Sequence, residues 1–296
     1  MTACNKTEAK NDDNGKLKII STLFPQYDFA RQIAGDKADV SLLLPPGTES
    51  HSFDPKPGDI VNIYNADLFI YTGKNMEPWT ETIIKGVKNT NLLIVDCSKN
   101  IELLTNDDEN EDAHDSEDSD HGADAHIWLD PTLCVKMVDN ILEALCEKDG
   151  ANLEYYTANA DEYKKKLRKL DEDIFDAIKN AGRDTVVFGG RFAYIYFLNH
   201  FGLKYVTAYD SCSSSGEPSV AKIAYVIDFI KENKIPCIYH EELADPKVAK
   251  SIAEAANIDC LLFSTAHNLT KGELESGVTF LDIMYSNLDN LKKGLN

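Results

Sequence analysis

The chain lacks any run of about 18 consecutive apolar residues, so no segment reads as a membrane-spanning helix. It lacks a CxxC pair as well. Its seven cysteines (Cys4, Cys97, Cys134, Cys146, Cys212, Cys237 and Cys260) are scattered, which excludes a thiolate zinc knuckle and gives no disulfide framework. Most of them sit in apolar runs and read as small buried hydrophobes. Positive charge is short: 30 Lys and Arg stand against 50 Asp and Glu, a net charge of −20. Nucleic-acid phosphates and anionic membranes repel such a chain, while the same field concentrates cations around it. Histidine is scarce, with seven in all and no HExxH among them.

What remains is ordinary for a soluble globular protein: 43% hydrophobic and 27% charged residues in a length suited to one large or two medium domains. From Lys16 onward, short β-rich runs alternate with helical stretches. Strands are expected at 18–24, 39–44, 67–73 and 91–96, and helices at 25–35, 57–65, 77–88 and 131–148. A second series follows, with strands at 185–190, 203–209, 235–241 and 259–265 and helices at 220–233, 245–256 and 279–294. Strands alternating with helices predict α/β lobes with parallel-rich sheets.

Between the two series, 152–181 reads as one helix. Leu153, Tyr156, Ala160, Tyr163, Leu167, Leu170 and Ile174 recur at spacings of three and four, and Gly182 stops it. At 1.5 Å per residue it reaches roughly 42 Å, enough to span two lobes. The expected division is a tether at 1–15, a first lobe at 16–150, a linker helix at 151–182 and a second lobe at 183–296. Within the first lobe, 106–124 is a dense acidic stretch without hydrophobic period; it holds His114 and His121 and reads as a surface loop.

Three histidines fall where α/β folds place ligands, beyond the carboxyl ends of strands: His51 after 39–44, His126 after 91–96 and His267 after 259–265. A surface or capping role is the ordinary alternative for each. At the other end of the chain, Met1-Thr2-Ala3-Cys4 looks like the end of a bacterial lipoprotein signal, followed by the polar stretch NKTEAKNDDNG. Lipidation of Cys4 and an extracytoplasmic location at the membrane are the corresponding expectations.

Two segments are specific. PPGTESHSFDPKPGDI with NADLFIYTGKNMEPW carries Pro46-Gly47, His51, Asp54-Pro55, and Ala66-Asp67 through Glu77 and Trp79; DAHIWLDP carries His126, Trp128, Asp130 and Pro131. Both resemble the metal-binding lipoproteins of bacterial ABC importers for zinc and manganese, the zinc-uptake type above all, and the resemblance covers 17–294. It implies a two-lobed solute-binding protein, monomeric and without catalysis, that hands its ion to a membrane permease. Relatives usually place a third ligand after the first strand of the second lobe, where this chain reads VVFGGRFAYIYF and puts Arg191. A guanidinium has no lone pair to offer, so Arg191 cannot be a ligand.

The resemblance places the last ligand at or beside His267, which leaves His51, His126 and His267, with water or a carboxylate, Glu241 foremost, in fourth place. Glu241, Glu77 and Asp130 are the acids expected to offset the charge of the ion and of Arg191. Three imidazoles favour Zn²⁺ over Mn²⁺, which prefers oxygen. The alternatives are a manganese receptor of the same class, a zinc hydrolase using a His₃-bound water, and a surface adhesin.

Overall fold

The computed structural model describes residues 15–104, 123–209, 212 and 216–296. Cys4, His114 and His121 lie outside the described residues.

The first half runs β1 (Leu17–Ser21), α1 (Phe24–Ala34), β2 (Ala38–Leu42), α2 (Pro57–Tyr64), β3 (Leu68–Tyr71), α3 (Thr80–Gly86), β4 (Leu93–Asp96) and α4 (Pro131–Lys148). After α5 (Leu153–Lys179) come β5 (Thr185–Phe188), α6 (Ile195–Phe201), β6 (Lys204–Thr207), α7 (Val220–Asn233), β7 (Cys237–His240), α8 (Lys247–Ala256), β8 (Asp259–Leu262), α9 (Lys271–Ser276) and α10 (Phe280–Leu295). Each half forms one four-stranded sheet, β2-β1-β3-β4 and β6-β5-β7-β8, and all strand pairs are parallel. The two lobes thus repeat one topology. In both, the strand order reverses beside the first strand, and the loops beyond the carboxyl ends become the natural place for a ligand.

The expected α/β architecture is present, with strands shorter than the apolar runs suggested. Residues just past each strand turn into loops while staying apolar enough to prolong the pattern. Proline and polar side chains set the starts of several helices. Asp130 accepts from the backbone N–H of Thr132 and Leu133 with Pro131 behind it, Ser219 accepts from Lys222, and Thr279 with Asp282 forms a reciprocal cap.

Two helices escaped the sequence reading. In α6, IYFLNHF is apolar nearly all round and has no helical period to detect, and α9 is only six residues long. The 27-residue α5 spans about 40 Å. Tyr156, Ala160, Tyr163, Leu167, Leu170 and Ile174 are buried along it, but Leu153 is 47% exposed because it opens the helix before the stripe meets its neighbours.

Helix α5 packs on α4, α1 and α10, and one apolar core runs without a break through both lobes. Phe29 of the first lobe meets Phe280 of the second edge-on at 5.0 Å. Beneath them the buried Asp28 accepts from the Phe280 N–H at 3.0 Å. Smaller clusters sit on the outer side of each sheet. A wide hinge motion would tear this shared core, so the lobes can adjust only slightly against each other.

Glu77, expected near the site, is instead a buried structural carboxylate. It accepts from the Thr22 hydroxyl, the Thr72 hydroxyl and N–H, and the Gly73 N–H. Burial pushes its pKa up to about 7, and those donors only partly offset the shift. The folded chain therefore holds this proton more tightly than the unfolded chain. The resulting stabilisation is complete below the unfolded value of 4.5 and is lost as pH rises through about 7. Relative to Glu77→Gln, the protein is expected to gain about 2–3 kcal/mol between about pH 8 and about pH 5. Denaturation curves of both proteins at the two pH values check this, and a constant difference would refute it.

Candidate metal centre

Each lobe brings the loops after its two edge strands to the cleft. In the first, His51 follows β2 and His126 follows β4; in the second, Cys212 follows β6 and His267 follows β8. Among the described residues, one ligand atom from each of these four lies within 4.8 Å of all the others. The three imidazole centroids are 4.8–5.4 Å apart, and the rings of His126 and His267 stand at 88°.

The rings are held from behind. His126 Nδ1–H donates to Asp124 Oδ1 at 2.8 Å, which leaves its Nε2 buried without a partner. The Thr265 hydroxyl donates to Glu242 Oε1 at 2.7 Å, so its oxygen must accept from His267 Nδ1–H. The His267 Nε2 is again buried and unpartnered. In its neutral form each ring is thereby fixed in the tautomer that turns a lone pair into the cleft, which is how metal-binding histidines are commonly supported. Two buried nitrogens without donors cost free energy unless a cation fills the space.

His51 sits on a more open loop. Glu49 cradles the backbone N–H groups of His51 and Ser52, both at 2.9 Å, and the His51 Nε2 lies 3.2 Å from the Cys212 sulfur. Bonds across the cleft pin this loop to the one carrying His267. The Asn268 side chain donates to the Pro45 and Thr48 carbonyls at 2.7 and 3.0 Å, and the Gly47 N–H to the Leu269 carbonyl at 2.7 Å. Trp128 lies beneath, donating its indole N–H to the Thr265 carbonyl at 2.7 Å and meeting the rings of His126 and His267 edge-on, each at 5.3 Å.

The electrostatics suit one cation. Burial lowers the His267 pKa well below its ordinary value, and the neighbouring imidazoles deepen the shift. His51 is lowered to about 4, by burial first and then by His126. At His126 burial pulls the same way, but the charge and hydrogen bond of Asp124 outweigh it and hold the value up to about 10. The three rings share room for about one positive charge, next to Asp124.

The structure brings His51, His126 and His267 together and leaves Glu241 outside the group. Glu241 directly follows β7, and its carboxylate fills the space beside Gly190 that a Cβ there would occupy. The acids behind the rings are Asp124 and Glu242, whereas Glu77 serves its buried network and Asp130 caps α4. Arg191 follows β5, near enough to His51 for its charge to depress that ring further.

Cys212 is the residue the sequence reading missed. Its signal was weak: it stands in a polar stretch, DSCSSSGE, after an expected strand, but Cys97 stands in a similar one, DCSKN. Only the fold shows that Cys212 faces His51.

Comparisons with known proteins find zinc-uptake proteins among the relatives of this chain. The high-affinity zinc uptake system protein ZnuA of Bacillus subtilis is 36% identical over 300 residues, covering 100% of this chain and 93% of that protein. The zinc-binding lipoprotein AdcA of Streptococcus pneumoniae is 31% identical over 99% of this chain, which spans only 58% of that longer relative. The crystal structure of the Zn(II)-bound ZnuA-like domain of the latter superposes with a TM-score of 0.80 at 29% identity, over 95% of this chain and 99% of that domain. The family model described as zinc-uptake complex component A, periplasmic, matches residues 19–294, and the chain belongs to that family.

Proposed function

We propose that the protein is an extracytoplasmic receptor that captures Zn²⁺ in the interlobe cleft and delivers it to the permease of an ABC importer. His51, His126 and His267 hold the ion, two from one lobe and one from the other. The observation that carries this reading is the pair of buried, unpartnered Nε2 atoms on His126 and His267, each aimed inward by a carboxylate-backed hydrogen bond. Such an arrangement has little use except to receive a cation. The relatives' zinc-binding names support the choice of metal, and imidazole donors favour Zn²⁺ over Mn²⁺.

The protein works as a monomer that binds and releases its cargo without turning over a substrate. The division into a tether (1–15), a first lobe (16–150), a linker helix (151–182) and a second lobe (183–296) belongs to this reading, as does lipid anchoring through Cys4. The shared core restricts release to local opening of the loops around His51 when the receptor docks on its permease. Protein purified without chelator should contain one equivalent of zinc, and competitive titration should show Zn²⁺ displacing Mn²⁺. Stoichiometric manganese in its place, with weaker zinc binding, would move the receptor to the manganese class.

A further inference from the structure

We infer that Cys212 is the fourth ligand and the residue that sets metal selectivity, making the cleft a His₃Cys centre for thiophilic cations. The inference rests on the zinc-receptor reading above and names the class of ion that reading leaves open.

Three observations converge on it. The Cys212 sulfur is 3.2 Å from His51 Nε2 and within 4.8 Å of the donor atoms on His126 and His267. Two donors on a tetrahedral zinc, with bonds of about 2.0–2.3 Å, stand roughly 3.3–3.7 Å apart. The group therefore needs to contract by only about an ångström.

The lobes also repeat one topology, and Cys212 occupies in the second the place that His51 holds in the first, the loop after the outer strand beside the first strand. His126 and His267 match in the same way, after β4 and β8. Corresponding loops of the repeat thus supply all four donors.

Finally, Cys212 belongs to no apolar cluster among the described residues. Cys97, Cys134 and Cys237 belong to the main core, and Cys146 and Cys260 pack against apolar clusters; Cys212 is part of none. Its sulfur instead meets a ring nitrogen at the mouth of a polar cleft.

The chemistry follows from the donor set. On binding, the thiol gives up its proton and the thiolate neutralises one charge of the ion, which three neutral imidazoles leave untouched. A sulfur donor suits Zn²⁺, Cd²⁺ and Cu⁺ and disfavours Mn²⁺, Mg²⁺ and Ca²⁺, which prefer oxygen. Four protein donors also close a tetrahedral shell and leave no position for the water that a hydrolytic zinc requires. Arg191 and Glu241 then need not touch the ion.

Cobalt provides the test, because a thiolate bound to Co²⁺ gives an intense near-ultraviolet charge-transfer band that imidazole and water do not. The full chain loaded with Co²⁺ alone should show this band, and Cys212→Ser should lose it while keeping the weaker visible bands of a His₃ site. The same variant should bind Zn²⁺ about 100-fold more weakly, and Cys212→Asp should narrow the preference for Zn²⁺ over Mn²⁺. Unchanged far-ultraviolet circular dichroism and melting of the metal-free variants would confirm that they fold. A cobalt complex without the band, or a band that survives in Cys212→Ser, overturns the inference and leaves the zinc-receptor reading standing. Failure of the wild-type chain to bind either Co²⁺ or Zn²⁺ overturns both.

Discussion

Zinc affinity is expected to fall by about two to three orders of magnitude in His126→Ala, with little loss of folded protein. Protein zinc sites gain about 10–16 kcal/mol from roughly four ligands, so one ligand accounts for about 3 kcal/mol or more, and each 1.4 kcal/mol is tenfold in Kd. His126 should stand at the upper end because its Nδ1 is tied to Asp124, so a pre-aimed donor is lost along with the bond itself. Removing the ring also leaves the largely buried Asp124 carboxylate with only the backbone N–H of residue 126 in place of two donors there.

The scarcity of histidine supplies sharp controls. His200 bridges Asp171 and Asp130, and His240 donates to the Glu241 carbonyl; neither lies in the cleft group. Their alanine variants should bind zinc within a few-fold of wild type. Competition against a chromophoric chelator measures all three proteins. Wild-type affinity in His126→Ala, or an equal loss in His200→Ala, would place the ion elsewhere.

Trp128→Ala should damage stability and binding together. The indole is fully buried, braces two ligand rings and donates across the lobe boundary to the Thr265 carbonyl. Truncating a buried Trp costs about 3–5 kcal/mol through lost contacts and the cavity left behind. In a chain of this size that lowers Tm by roughly 6–15 °C. Because the cavity opens directly behind His126 and His267, both rings gain freedom, and zinc affinity should drop although no ligand has been removed.

Trp128→Phe separates the two roles. It keeps most of the apolar contact but leaves the Thr265 carbonyl without its donor, a penalty of about 1–3 kcal/mol. Its zinc affinity should lie between those of wild type and Trp128→Ala. Calorimetry with and without zinc gives both quantities. An alanine variant as stable and as tight-binding as the wild type would show that the rings are held by Asp124 and Thr265 alone.

The local patterns of this sequence determined much by themselves. Alternating apolar runs and helical periods specified two α/β halves, because burial on a sheet or along a helical stripe imposes periods of two and 3.6 that survive in any context. Helices α4 and α7 begin where Asp130, Pro131 and Ser219 put them, since a cap acts within one turn. The same logic picked out His51, His126 and His267, each on a connection that follows a strand of a parallel sheet.

Tertiary structure decided the rest, for reasons of distance. Whether a carboxylate serves the cleft, a helix cap or a buried network depends on residues far along the chain. Glu77 and Asp130 thus turned to structural tasks, while Asp124 and Glu242 came to stand behind the rings. Glu241 looked like a fourth ligand by its position at a strand end, yet its carboxylate packs beside Gly190. Cys212 looked like one more scattered cysteine, and only the pairing of β6 at the sheet edge brings it, 161 residues from His51, to 3.2 Å. A strand's own residues encode that it is a strand; which edge it takes, and so what its loop faces, is set by the packing of the whole sheet.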